Sequence, residues 1–260
     1  MDNFFITRDF DWQIRRSSHV DRALNLFTRR LGLNMDTAGF IDQLIHKFTG
    51  LRFSPSHSGI STNVEQRMNM YHLVSQVIAY GIDGDLVEVG CNEGQSSVLI
   101  SKVMKSFHSS KRLHVYDSFE GLPAARSEDG GAYRKGDLAT SRDVLIDNFA
   151  IHGLELPVIH TGWFEDTLPH GLPDCICFAY LDGDLYGSIL VSLEYVYPRL
   201  SKGAVCLIDD YCDPAVDPDG WNYLPGVKKA CDEFMADKPE PICSLYSGSF
   251  SHAFFRKALT

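Results

Sequence analysis

The sequence predicts an α/β fold: a mostly parallel seven-stranded sheet with helices on both faces, an antiparallel C-terminal hairpin and an N-terminal helical extension. Three observations carry this. From residue 85 onward, short apolar runs alternate with helical stretches, the pattern of a parallel sheet. Two of the runs, Ile176–Leu181 and Ala204–Ile208, are apolar throughout, as strands buried on both faces are. The final two runs are separated only by Ser247-Gly-Ser-Phe-Ser251, which makes them a hairpin.

In chain order, Val20–Phe27, Phe40–Phe48 and Val64–Ala79 space their apolar residues by three and four, so residues 1–80 read as a helical extension. Ser54–Ser61 is a loop by composition. Residues 81–260 form the main domain. Its strands are expected at Asp85–Val89, Leu113–Tyr116, Pro157–His160, Ile176–Leu181, Ala204–Ile208, Ile242–Tyr246 and Ala253–Phe255. A helix is expected over Gly187–Leu200. There is no internal repeat and no low-complexity segment.

The 260 residues suit one large domain with a small extension. A net charge of -10 argues against nucleic acid or an anionic membrane as partner. No apolar stretch reaches the roughly 18 to 20 residues of a membrane span, and Met1–Arg8 lacks the makings of a secretory signal. Seven cysteines without a Cys-x-x-Cys pair fit buried free thiols in a reducing cytoplasm better than zinc or disulfides. The protein is expected to be a homo-oligomer, with its N-terminal helices serving as a lid or as a dimer interface.

The strand ends carry the chemistry. Glu88-Val-Gly-Cys-Asn-Glu-Gly94 closes the first strand and leads into a helix whose N-terminal amides face a ligand. Gly90 and Gly94 permit a tight turn and close backbone approach. The dinucleotide fingerprint is absent, because Asn92 and Gln95 occupy its second and third glycine positions. Glu88 disfavours a pyrophosphate and suits an ammonium group. Such a turn is common, so it specifies little alone. Asp117 ends the second strand, where a carboxylate accepts both hydroxyls of a ribose or else caps a turn. Trp163 and Phe164, after the third strand, offer an adenine a flat surface or pack in the core. In this order the three pieces fit S-adenosylmethionine.

Asp182 and Asp184 follow the fourth strand, and Asp209 and Asp210 end the fifth. Crowded carboxylates repel unless a cation or proton intervenes. Asp182, Asp209 and Asp210 suit Mg²⁺, which prefers oxygen ligands and keeps positions open for substrate oxygens; their alternative is helix capping, the simpler reading of Asp184.

Glu88-x-Gly-x-x-x-Gly-x-Ser-Ser, Asp117-Ser-Phe-Glu-Gly-Leu-Pro123, Gly162-Trp-Phe-Glu-Asp-Thr-Leu-Pro169, Leu181-Asp-Gly-Asp-Leu-Tyr186 and Asp209-Asp-Tyr211 occur together in this order. From about Thr62 to the C-terminus the chain resembles the macrocin O-methyltransferase family, which methylates sugar hydroxyls in antibiotic biosynthesis. The resemblance implies a class I, Rossmann-like methyltransferase fold with S-adenosylmethionine as donor and Mg²⁺ as metal. It assigns the metal to Asp182, Asp209 and Asp210. The donor goes to Thr62, Glu88, Gly90, Cys91, Asn92, Gly94, Ser96, Asp117, Ser118, Phe119, Gly162, Trp163 and Phe164, with Asp182 at its edge. Thr62-Asn-Val-Glu65 matches the family's N-terminal motif, but Gln66 replaces its basic residue and Arg67 follows.

The expected reaction is methyl transfer to a hydroxyl of a sugar-bearing or polyhydroxylated small molecule. A base must take the hydroxyl proton. Related catechol enzymes place a lysine three residues after the first metal aspartate, where this chain has Leu185. The base is therefore expected to be Asp182, then Asp184; His57 and His72 read as a loop and a helix-surface histidine. Trp221 and Tyr223, in the long Cys212–Pro225 connection, are expected against the acceptor, unless that connection is a solvated insertion. The alternatives are a catechol or phenol acceptor, a non-catalytic donor-binding scaffold, and a metal-dependent hydrolase, which leaves Glu88, Asp117 and Trp163 unexplained.

Overall fold

The computed structural model describes residues 62–218, 220–248 and 250–259. The expected helices Val20–Phe27 and Phe40–Phe48, the loop Ser54–Ser61, His57 and Asp219 lie outside the described residues. Residues 62–260 form one compact unit. The helix Val64–Ala79 therefore belongs with the sheet, although the sequence reading drew the boundary at residue 80. Among the described residues, no helix is long and apolar enough to cross a membrane.

The elements are α1 (Val64–Ala79), β1 (Asp85–Val89), α2 (Gln95–Ser106), β2 (Leu113–Asp117), α3 (Arg142–Ile151), β3 (Val158–Thr161), α4 (Phe164–Gly171), β4 (Ile176–Leu181), α5 (Tyr186–Val196), β5 (Leu200–Asp209), α6 (Pro225–Met235), β6 (Cys243–Leu245) and β7 (His252–Arg256). The sheet has seven strands in the order β3-β2-β1-β4-β5-β7-β6. β1 to β5 pair in parallel, and β7 pairs antiparallel with both β5 and β6. Every residue of β4 is buried, as its unbroken apolar run demands. Each large side chain hidden there, such as Phe178, contributes about 2 to 3 kcal/mol through removal from water.

Two boundaries differ from expectation by four residues, and the other shifted ends, in β2, β3, β5, β6, β7 and at the start of α5, by one. β5 starts at Leu200 rather than Ala204, because Leu200 pairs with Ile176 across an irregularity in the ladder. α5 ends at Val196 and gives way to a 3-10 turn over Tyr197–Arg199 rather than running to Leu200.

Register places the site. Val89 pairs with Leu181, and Leu181 with Ile208. The residues that follow, Gly90, Asp182 and Asp209, therefore come level at the carboxyl edge of the sheet. β1 and β4 are the strands between which the chain order reverses, the point where open α/β sheets leave a crevice for ligands.

Candidate active site

Gly90 sits at φ 92°, a conformation that favours glycine. Its N–H donates to the Tyr116 carbonyl at 2.9 Å, and the Asp182 N–H donates to the Val89 carbonyl at 2.8 Å. A Cβ at Gly90 would lie 1.8 Å from the Asp182 carbonyl oxygen. The close approach that the sequence suggested at Gly90 is thus made by the backbone of β4's own end.

The Glu88 side chain is fully buried and accepts the hydroxyls of both Ser96 and Ser97. Glu88 and Ser96, both expected at the donor, are directed at each other and fasten the first turn of α2 to the end of β1. Burial pushes the Glu88 carboxyl up to about 7; the two serine hydroxyls oppose this, and the Asp117 charge adds to it. Between the unfolded value of 4.5 and about 7, folded Glu88 keeps a proton that the unfolded chain has lost. Folding stability then falls as pH rises through that window. Denaturant melts at several pH values should show the wild type losing up to about 3 kcal/mol relative to Glu88→Gln between those limits. A difference that stays flat with pH would mean that buried Glu88 is ionised throughout.

Asp117 accepts two backbone hydrogen bonds, from Asn92 N–H at 2.8 Å and Phe119 N–H at 2.7 Å, one on each oxygen. Asn92 and Phe119 both hold positive φ, and their turns aim these amides at the carboxylate. Each oxygen keeps a further lone pair for a ligand. Burial nevertheless raises the Asp117 carboxyl above its ordinary value, against the lowering by those amides. The Asp117 carbonyl accepts the Gly162 N–H at 3.0 Å, which brings the Gly162-Trp163-Phe164 turn beside it. Trp163 is half-buried at the N-cap of α4, whereas Phe164 packs against the main core. Cys91 and Gly94 are buried in the turn, joined by a 2.7 Å backbone bond. The Ser118 hydroxyl donates to the Gly121 carbonyl. Thr62 is buried, and its hydroxyl accepts from Arg67 at 3.4 Å.

The four aspartates gather at the ends of β4 and β5. Among the described residues, one oxygen each of Asp182, Asp184 and Asp210 lie within 4.8 Å of one another. Of the trio expected for the metal, Asp182 and Asp210 thus converge with Asp184. Asp209 instead directs Oδ1 at the Nε2 atoms of His252 and Gln66, both at 2.9 Å. It remains close enough that its charge is the strongest on Asp182, Asp184 and Asp210. Burial first, and these mutual repulsions second, push the Asp182 and Asp210 carboxyls far above the carboxylate range and that of Asp184 up to about 7. Asp184 and Asp210 both adopt positive φ, a strain that functional turns commonly hold. Asp184 is no helix cap: the residue before α5 is Leu185, which makes no side-chain cap.

Two residues at this site carried no signal in the sequence reading. Asp129 is buried and accepts the Tyr186 N–H and the Arg126 N–H, both at 2.6 Å. It thereby caps α5 from a distance and pins the long β2–α3 connection to it. Further along that connection lies Tyr133, half-buried, its phenol held protonated by burial and then by the charges of Asp184, Asp210 and Asp182. Its neighbours place it beside the acid cluster. On the β5–α6 connection, Trp221 is half-buried and Tyr223 is 64% exposed, their ring centroids 5.3 Å apart. His72 is exposed on α1.

The sheet order, the glycine turn after β1 and the acid at the end of β2 define a class I, Rossmann-like methyltransferase fold. The chain belongs to the macrocin-O-methyltransferase (TylF) family, whose profile matches residues 54–237. It is 35% identical over 167 residues to the 8-demethyl-8-(2,3-dimethoxy-alpha-L-rhamnosyl)-tetracenomycin-C 4'-O-methyltransferase of Streptomyces olivaceus, covering 60% of this chain and 64% of that protein. It is 33% identical over 159 residues to the mycinamicin III 3''-O-methyltransferase of Micromonospora griseorubida, covering 56% and 63%. The aligned part thus spans somewhat less than two thirds of these relatives. Among solved structures, the O-methyltransferase NovP superposes with a TM-score of 0.65 at 28% identity, over 78% of this chain and 83% of that one. The calicheamicin methyltransferase CalS11 shares the fold, with a TM-score of 0.59 at 20% identity over 86% and 93%.

Proposed function

We propose that this chain transfers a methyl group from S-adenosylmethionine to a sugar hydroxyl of a glycosylated natural product, with the help of a divalent cation. The carrying observation is the crowding of carboxylates at the ends of β4 and β5, on the same edge of the sheet as Asp117 at the end of β2. The tetracenomycin and mycinamicin relatives, named for methylation at 4' and 3'' positions, support a sugar as acceptor.

The donor set fits a hard cation: all are carboxylate oxygens, and their mutual repulsion is relieved by one. Asp182 and Asp210, whose oxygens converge, would hold it, joined by Asp209 as the family resemblance assigns. Such an ion makes a bound hydroxyl more acidic and orients it. That leaves Asp184 as the carboxylate nearest the ligand set, and it replaces Asp182 as the preferred proton acceptor. In the transfer, the sulfonium C–S bond breaks as the C–O bond forms, and the hydroxyl proton passes to Asp184. Alignment of donor and acceptor supplies most of the acceleration. Asp117 would accept the ribose hydroxyls, and the Asn92 and Phe119 amides hold it ready to do so.

Calorimetry tests the donor half. S-adenosylmethionine or its demethylated product should bind, and Asp117→Ala should weaken that binding by roughly 1 to 3 kcal/mol, the scale for unpaired buried polar groups. Unchanged affinity removes Asp117 from the ribose. Assays on a rhamnosylated aglycone and on a catechol test the acceptor; faster turnover of the catechol overturns the sugar reading.

Trp221 and Tyr223 present a paired aromatic surface on the connection that leaves the metal aspartates, suited to a sugar face or aglycone. Trp221→Ala and Tyr223→Ala should each raise the acceptor KM while leaving donor affinity intact. If acceptor kinetics do not move in either variant, the connection takes no part in recognition.

A further inference from the structure

We propose that Gln66 and His252 act as a two-sided clamp on Asp209, fixing how that aspartate meets the cation. The inference rests on the reading of Asp209 as a cation ligand. Gln66 on α1 and His252 on β7 are both buried, and both direct Nε2 at Asp209 Oδ1 from 2.9 Å. The β5–β7 ladder sets one side, because Asp209 and His252 are register partners. The other side is set by the N-terminus of α1. There the Gln66 Oε1 accepts the Asn63 N–H at 3.0 Å and Asn63 Oδ1 accepts the Gln66 N–H at 2.8 Å. This reciprocal cap fixes the amide, so that its NH₂ points at Asp209.

Both Nε2 atoms lie 2.9 Å from the same oxygen, Asp209 Oδ1, and 3.3 Å from each other. Held from two elements at once, the carboxylate keeps one orientation. Oδ2 takes part in neither bond and is the oxygen left to the ligand sphere. Partners behind metal ligands act in this way, and their loss costs metal affinity on the order of 10-fold to 100-fold.

Mn²⁺ binding to the full chain, by calorimetry and electron paramagnetic resonance, tests the clamp. Gln66→Met and His252→Leu should each weaken Mn²⁺ binding by about tenfold or more, and excess Mn²⁺ should restore kcat. His252→Gln, which keeps an N–H donor, should recover most of the affinity. Asn63→Ala removes the Asn63 Oδ1 half of the cap but keeps the Asn63 backbone N–H on Gln66 Oε1, the bond that aims the amide at Asp209; it should lower the melting temperature with Mn²⁺ affinity unchanged. Wild-type affinity in both Gln66→Met and His252→Leu overturns the clamp while the cation site stands. So does an equal loss in Asn63→Ala, which would mark helix stability as the cause. If Gln66→Met does not fold, the contrast between His252→Leu and His252→Gln decides. Absence of Mn²⁺ binding by the wild type overturns the cation reading itself.

Discussion

Chelating divalent cations should take methyl transfer to background, a loss of at least about a hundredfold or ~3 kcal/mol of transition-state stabilisation, and Mg²⁺ should restore it. The expectation follows from the crowding at the ends of β4 and β5, where Asp182, Asp184 and Asp210 oxygens lie within 4.8 Å of one another. Without a counter-charge these groups hold protons, and a protonated carboxyl is neither a ligand nor a base. Asp210→Asn separates loss of function from loss of fold. Asn tolerates the positive φ of this position, 56°, so the turn should survive. Removing one of the crowded acids relieves their mutual repulsion, and the cation-free variant should melt higher than the wild type. Its turnover with Mg²⁺ should nevertheless fall as far as that of the chelated wild type, with donor affinity little changed. Full activity in excess chelator would remove the cation from the mechanism. A lower melting temperature in cation-free Asp210→Asn would mean that the four acids do not repel as described.

The sheet was legible because its signal is local. β1 and β4 were read to the residue: β4 is an unbroken apolar run that Asp182 closes, and β1 stops where the glycine turn at Gly90 begins. β5 was cut short at Ala204 because Ser201, Lys202 and Gly203 are polar; they extend the strand through backbone pairing, which hydropathy does not record. The site was half legible. Acids at the ends of buried strands stand out, so Asp117, Asp182, Asp209 and Asp210 could be picked from sequence. Which oxygens converge depends on turn geometry, and the left-handed turns at Asp184 and Asp210 bring those two toward Asp182. The alliance of Asp209 with Gln66 and His252 joins residues more than forty positions apart on three elements, beyond the reach of spacing. Asp129 stands in no sequence pattern: one oxygen accepts the Arg126 N–H within its own turn, and the other, reaching the first turn of α5, belongs to the fold alone. Tyr133 is an unremarked tyrosine in a polar loop until the β2–α3 connection folds over the acids.

The second large effect concerns the backbone that sets the site. Gly90→Ala should destabilise the protein by about 3 kcal/mol or more, at the upper end of the cost of overpacking. A Cβ there would lie 1.8 Å from the Asp182 carbonyl oxygen and 2.7 Å from its carbon. Both atoms are backbone, held by the 2.8 Å bond from Asp182 N–H to Val89, so no side chain can swing aside. Only separation of β1 from β4 makes room, and it breaks that bond and moves Asp182. Gly153→Ala is the control. Gly153 also has positive φ, 60°, but a Cβ there would meet nothing within 4 Å. It should cost only the strain of a left-handed residue, about 1 to 2 kcal/mol. Chemical denaturation of the two variants gives the comparison, and equal losses would show that the contact at Gly90 relaxes freely. Activity adds a second readout. At a temperature where Gly90→Ala remains folded, its turnover should stay low because Asp182 is displaced, whereas folded Gly153→Ala should turn over as the wild type does.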